Sequence, residues 1–101
     1  MPQAKGYLVA SVEVRDVAKF DAYRRQVPAV IAAFGGRYVV RGAPLDVVEG
    51  RLPFARMVVV EFPSLIEARR FYESAEYAPL LKLRIDSTHS SVAFVEGYDA
   101  P

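Results

Sequence analysis

The run Met57-Val58-Val59-Val60 constrains this chain more than any other feature, because a strand made of it is apolar on both faces and both faces must be covered. A chain of 101 residues can build one hydrophobic core, with helices laid over one side of a sheet. The other side of that strand then calls for a second molecule.

The flanking segments say what kind of sheet it is. From Tyr7 to Val14 the side chains alternate, with Leu8, Ala10, Val12 and Val14 on one face and Tyr7, Val9, Ser11 and Glu13 on the other. Asp16 then offers an N-cap oxygen to a helix carrying Phe20, Tyr23, Val27, Ile31 and Phe34 at spacings of three and four, which ends at Gly35-Gly36. Pro28 lies in its interior, where a kink or local break is expected. Extended chain follows over 37–41 and 45–49, interrupted by Gly42-Ala43-Pro44, which reads as a bulge in an edge strand. Residues 50–54 make a turn into a third strand over 55–62. Ser64 and Glu67 stand at capping-box spacing ahead of a helix with Leu65, Ala68 and Tyr72 on one side. A shorter helical piece disturbed by Pro79 is expected over 74–84, then a loop over 87–90 and a last strand over 91–96.

The order strand, helix, strand, strand, helix, strand is the ferredoxin-like βαββαβ arrangement, an α+β fold with a four-stranded antiparallel sheet and two helices on one face. The whole chain, 1–101, reads as one such domain. Its uncovered face carries Tyr7, Val9, Met57 and Val59, so a homodimer that joins two such faces into an α/β barrel is expected.

Charge and composition narrow the function. Thirteen basic and twelve acidic side chains nearly balance, and neither sign forms a block, which argues against a nucleic-acid or anionic-membrane footprint. The absence of cysteine removes disulfides and thiolate chemistry. The N-terminal apolar run is broken by Glu13, so neither a signal peptide nor a membrane span is expected and a soluble cytoplasmic protein is the default. No histidine or carboxylate cluster has metal-ligand spacing, no glycine-rich phosphate loop is present, and no cofactor is expected.

Several separated stretches carry a family resemblance: Gly35-Gly36-Arg37-Tyr38-Val39-Val40-Arg41-Gly42, Val48-Glu49-Gly50, Val60-Glu61-Phe62-Pro63-Ser64, Phe71-Tyr72-Glu73-Ser74 with Glu76-Tyr77, and Val95-Glu96-Gly97. Their wording and order resemble the family named domain of unknown function 1330. That resemblance implies a fold in the dimeric α/β-barrel superfamily, which also holds cofactor-free monooxygenases, muconolactone isomerases, peroxidases and haem-degrading enzymes. Kinship at the level of fold assigns no activity. The haem-degrading relatives depend on a tryptophan and a helix-borne histidine; this chain has no tryptophan, which disfavours that chemistry.

Candidate site residues follow from position. Glu61 is a charge at the end of an apolar strand, on the face shared with Met57 and Val59, where it serves either as a general base or as half of an ion pair; a bulge at 42–44 would bring Arg41 to it. His89 is the only histidine, so any imidazole chemistry must use it. Tyr7, Tyr23, Tyr72 and Tyr77 offer phenols to a flat ligand, against the alternative of plain core packing, and Arg84 after Leu80, Leu81 and Leu83 is expected near the barrel mouth, where it would hold a carboxylate. Two functions remain open: a homodimer binding a small organic molecule in its barrel, with isomerisation or cofactor-free oxygenation as its available chemistry, or a structural or regulatory dimer with a filled interior and no site.

Overall fold

The computed structural model describes residues 4–98. Its elements are β1 (Gly6–Val14), α1 (Val17–Ala33), β2 (Arg37–Arg41), β3 (Met57–Phe62), α2 (Leu65–Tyr72), α3 (Ala78–Ser87) and β4 (Thr88–Glu96). The strands form one antiparallel sheet in the order β2-β3-β1-β4. The α+β ferredoxin-like reading holds, and the shorter helical piece expected over 74–84 is a third helix, α3, packed beside the other two.

Local chemistry explains most boundaries. The Asp16 side chain accepts from the Lys19 amide at 3.1 Å and starts α1; Ser64 accepts from the Glu67 amide at 3.3 Å and starts α2. At the end of α1, Gly36 N–H donates to Ile31 O and Gly35 N–H to Ala32 O, both at 2.9 Å, with Gly35 at φ +78°. This is the Schellman closure, and the left-handed position needs glycine. Pro28 does not end α1, which runs on to Ala33. Pro79 disturbs nothing either, because it sits in the first turn of α3, where a missing N–H has no helical partner to lose.

Two expectations are corrected. Residues 45–49 form no strand, so β2 stops at Arg41 and a long irregular segment leads to β3. The loop expected over 87–90 is absent: α3 ends at Ser87 and β4 begins at Thr88, where Arg15 and Asp16 amides bond to Ser87 O at 2.8 and 3.1 Å.

Leu8, Ala10 and Val12 of β1 pack with Val60, Phe62, Phe20, Val27, Ile31, Ala68, Phe71, Tyr77 and Leu80 in one core, so all three helices cover the same side of the sheet. Among the described residues no helix covers the other side. There Val9 faces Val59 and Ala93, Ser11 faces Met57, and Val95 is half exposed.

Candidate functional site

The register divides the sequence-selected residues between the two faces of the sheet. On the bare face Tyr7 is the direct neighbour of Glu61 and donates to its Oε2 at 2.9 Å, while Arg37 Nε donates to Oε1 at 3.0 Å. The Tyr7 hydroxyl and then Arg37 hold the Glu61 carboxyl below the usual carboxylate range, and the same bond raises the Tyr7 phenol. This is an ion pair reinforced by a phenol, with both carboxylate oxygens occupied.

The expected Arg41–Glu61 pair does not form. The bulge in β2 lies between Tyr38 and Val40, earlier than Gly42, and it inserts one residue opposite β3. Arg37 therefore faces Glu61, whereas Arg41 faces Val58 and is turned to the helix side. His89 lies on β4, exposed and opposite Glu13, rather than in a loop. Six residues of β1 separate the Glu61 and His89 registers, or about 20 Å at 3.4 Å per residue, so the two do not share a site.

Between sheet and helices lies a cavity in which about 90 Å³ is open to the centres of water molecules. At about 30 Å³ for each water of the liquid this is room for about three, and it is less than the volume of about 150 Å³ in an enclosed cavity that takes benzene, so an aromatic body bound here would project from the cavity. Leu8, Ala10, Val12, Val58, Val60 and Val92 give it an apolar floor, and Tyr23, Tyr38, Tyr72 and Tyr77 supply phenols. Arg24, Arg41, Arg56 and Arg84 also line it, and no aspartate or glutamate does.

Arg84 is the unusual member. It is 6% exposed, donating from Nε to Tyr77 OH at 3.3 Å, from Nη2 to Tyr72 OH at 3.2 Å and from Nη1 to Ser90 Oγ. No carboxylate lies within salt-bridge distance of it among the described residues. Burial acts to lower its pKa, and the surrounding phenols, Tyr77 first, more than offset this, so the group stays a cation. Buried charges ordinarily have an opposite partner; this one has only neutral oxygens. Tyr77 and Tyr23 hydroxyls stand 2.9 Å apart, and burial, then Tyr77, raises Tyr23 far above an ordinary phenol. Tyr23 therefore stays protonated, with no capacity to act as a base, and either hydroxyl of the pair can donate to the other.

Arg41 is held at the cavity by an indirect effect of Pro28. Proline has no amide proton, so the Arg24 carbonyl four residues earlier lacks its helical donor; Arg41 Nη2 supplies one at 2.9 Å. The Arg41 guanidinium also lies 4.4 Å from the centre of the Tyr38 ring.

The sequence profile of the family described as domain of unknown function DUF1330 matches residues 5–98. The chain belongs to that family. The DUF1330 chain is also similar in fold to solved structures. RPA0582, a protein of unknown function from Rhodopseudomonas palustris, aligns over 97% of this chain and 85% of its own, with TM-score 0.75 and 16% identity. SnoaB, a cofactor-independent oxygenase from Streptomyces nogalater, aligns over 96% of each chain with TM-score 0.61 and 14% identity. A dimeric protein of unknown function with a ferredoxin-like fold from Bacteroides fragilis NCTC 9343 aligns over 95% of this chain and 99% of its own, with TM-score 0.57 and 12% identity. No curated protein matches the sequence. No helix among the described residues is long and apolar enough to cross a membrane.

Of the residues selected from sequence, Tyr23, Tyr72, Arg41 and Arg84 meet at the cavity, Tyr7 and Glu61 pair on the bare face, and His89 lies outside the cavity lining, on an open groove that Arg84, Tyr72 and Ser90 also border. Arg37, Arg56 and Tyr38 were not singled out as site residues. Tyr77, expected among the phenols, joins Tyr23 and Tyr72 at the cavity because the turn between α2 and α3 brings it to Tyr72 and Arg84.

Proposed function

We propose that this protein is a homodimer joined through the bare faces of its sheets, and that each subunit binds a small flat organic acid, as its anion, between sheet and helices. Arg84 carries the binding reading. A buried guanidinium held by three hydroxyls, on a cavity lined by three further arginines and no acid, is an incomplete ion pair whose missing half is an anion. The apolar floor and tyrosine walls fit a planar body.

The dimer reading rests on Val9, Val59, Met57, Ala93 and Val95, apolar side chains that no helix covers, together with Leu45, Val47, Val48 and Leu52, exposed on the segment between β2 and β3. The dimeric description of the Bacteroides fragilis protein of like fold points the same way. Val59→Lys should halve the mass in sedimentation equilibrium, and an unchanged mass would count against this face as the interface.

A second reading, a cofactor-independent oxygenase or an isomerase, draws on the fold it shares with SnoaB and on the donors around Arg84, which would stabilise an enolate or phenolate as well as a carboxylate.

The test of binding is a thermal-shift titration with benzoate, hydroxybenzoates and aromatic keto acids, and benzamide as the neutral control. At a hundred times its dissociation constant an acid adds about 2.7 kcal/mol and raises the melting temperature by several degrees. Arg84→Gln should abolish the shift and Tyr23→Phe should weaken it. Acids that shift the protein no more than benzamide does would leave the dimer without a site, a structural module.

A further inference from the structure

Resting on the anion-binding reading, we infer that the ligand carries two anionic groups at opposite ends of its body, one on Arg84 and one on Arg41 and Arg56.

The cavity has cationic side chains at both edges of the sheet. Arg41 ends edge strand β2, and the register runs from it through Val58 and Ala10 to Val92 on the opposite edge strand β4. Three strand spacings of about 4.8 Å separate those edges, about 14 Å in all. Arg84 lies over the β4 edge, bonded to Ser90 two residues before Val92. Arg56 lies just before β3, its carbonyl accepting from Val12 N–H at 2.9 Å, and its guanidinium is 5.9 Å from the centre of the Phe20 ring. The Arg84 end and the Arg41–Arg56 end thus stand at opposite edges of a floor of valine, alanine and leucine.

The two ends differ in what surrounds them. Arg84 is enclosed, and its partners are hydroxyls fixed by packing. Arg41 and Arg56 are exposed and have no carboxylate partner among the described residues; the nearest acid–base pair at this end is Arg24 with Asp21, at 3.6 Å. Arg41 is nonetheless positioned, by the Arg24 carbonyl that Pro28 leaves free and by the Tyr38 ring. A cation that is exposed, held in place and unpaired beside a cavity favours a group projecting from the ligand inside it. The ligand class that satisfies both ends is an elongated dianion with a flat apolar centre, such as an aromatic dicarboxylate or a carboxylate bearing a distal enolate or phosphate.

The experiment compares matched acids by titration calorimetry at low salt: benzoate with terephthalate, and a naphthalene monocarboxylate with the linear naphthalene dicarboxylate. The longer diacid should bind about tenfold more tightly than its monoacid, which is about 1.4 kcal/mol. That advantage should shrink as ionic strength rises, because the Arg41–Arg56 end is open to solvent. In Arg41→Gln/Arg56→Gln, whose folding is checked by its unliganded melting curve, the diacid should fall to the affinity of the monoacid while the monoacid keeps its own. Monoacid and diacid binding equally in the unsubstituted protein, or an advantage that survives the double substitution, overturns the two-ended ligand and leaves the single-anion reading intact. Failure of all four acids to bind overturns both.

Discussion

Replacing Arg84 with methionine separates a residue kept for a ligand from one kept for the fold. Three hydrogen bonds from a charged donor, at about 1.5–3 kcal/mol each, amount to a gain of about 5–9 kcal/mol. Against it stands the desolvation of a guanidinium with no carboxylate beside it, several kcal/mol in real proteins. The oxygens left behind are not stranded: Tyr77 keeps Tyr23 at 2.9 Å, Ser90 keeps Thr88 at 3.0 Å, and Tyr72 borders the cavity, where water can reach it. Methionine covers most of the arginine stem and packs well in irregular apolar space. The expected change in unfolding free energy for Arg84→Met is therefore within about 1 kcal/mol, or a small gain, of the kind found when buried ions give way to apolar groups. Urea unfolding at one fixed protein concentration measures it, the concentration being held because the stability of the proposed dimer would depend on it. Acid binding should be lost in the same variant. A loss above about 3 kcal/mol would refute the reasoning and make Arg84 a structural clamp of Tyr72, Tyr77 and Ser90.

The remaining substitutions read other parts of the argument. The Glu61 pKa is depressed in the folded state, so its pairing adds stability above the ordinary carboxyl value of 4.5, and that contribution is lost as pH falls through the folded value; the stability gap between the unsubstituted protein and Glu61→Gln should close on acidification below that value, and a gap independent of pH would contradict the pairing. Pro28→Ala should stabilise α1 by about 1–2 kcal/mol through the restored amide donor, partly offset by a more flexible unfolded chain, while weakening diacid binding because Arg41 loses its hold on the Arg24 carbonyl; unchanged binding by calorimetry would show that Arg41 needs no such anchor. Gly6→Ala should cost about 3 kcal/mol or more by denaturant unfolding, since a Cβ there would collide with the backbone of Ser64 and Leu65, and a mild effect would mean that the start of α2 can move away from β1.

How far the sequence carried depends on what each residue answers to. Asp16, Ser64 and the Gly35-Gly36 pair act on their own neighbours, so the starts of α1 and α2 and the close of α1 could be read directly. The bare face was legible from the double-sided Met57-Val58-Val59-Val60 run and the alternation of β1. The partner of Glu61 was not, because it turns on parity: one residue inserted between Tyr38 and Val40 exchanges the faces of everything after it, and nothing local to Val39 announces a bulge. Were Val39 paired regularly instead of bulged, Arg41 would stand opposite Met57 on the bare face. With it, Arg37 takes Glu61 and Arg41 joins the cavity. The cavity itself was illegible for a related reason. Its arginines come from α1, β2, the approach to β3 and α3, and in sequence each looks like an ordinary solvated charge.

The make-up of the lining also bears on what chemistry the cavity can support. It contains phenols and guanidinium groups but neither histidine nor carboxylate, and Tyr23 is pushed away from ionisation. Of the two bases that sequence offered, Glu61 belongs to the opposite face, and His89 lies on the open groove beyond Arg84, outside the cavity lining. The cavity can therefore stabilise an anion that arrives formed, and it has no side chain placed to form one by removing a proton. Binding should then follow the acidity of the ligand. Between about pH 5 and about pH 8, where histidine is the side chain that ordinarily titrates, a carboxylate should bind with constant affinity, and a weakly acidic phenol should gain about tenfold for each pH unit until its own pKa is reached. A carboxylate whose affinity passes through a step near neutrality would mean that His89, the single histidine of the chain, is coupled to the cavity after all. A flat profile restricts any oxygenase or isomerase reaction here to substrates acidic enough to ionise without help from the protein.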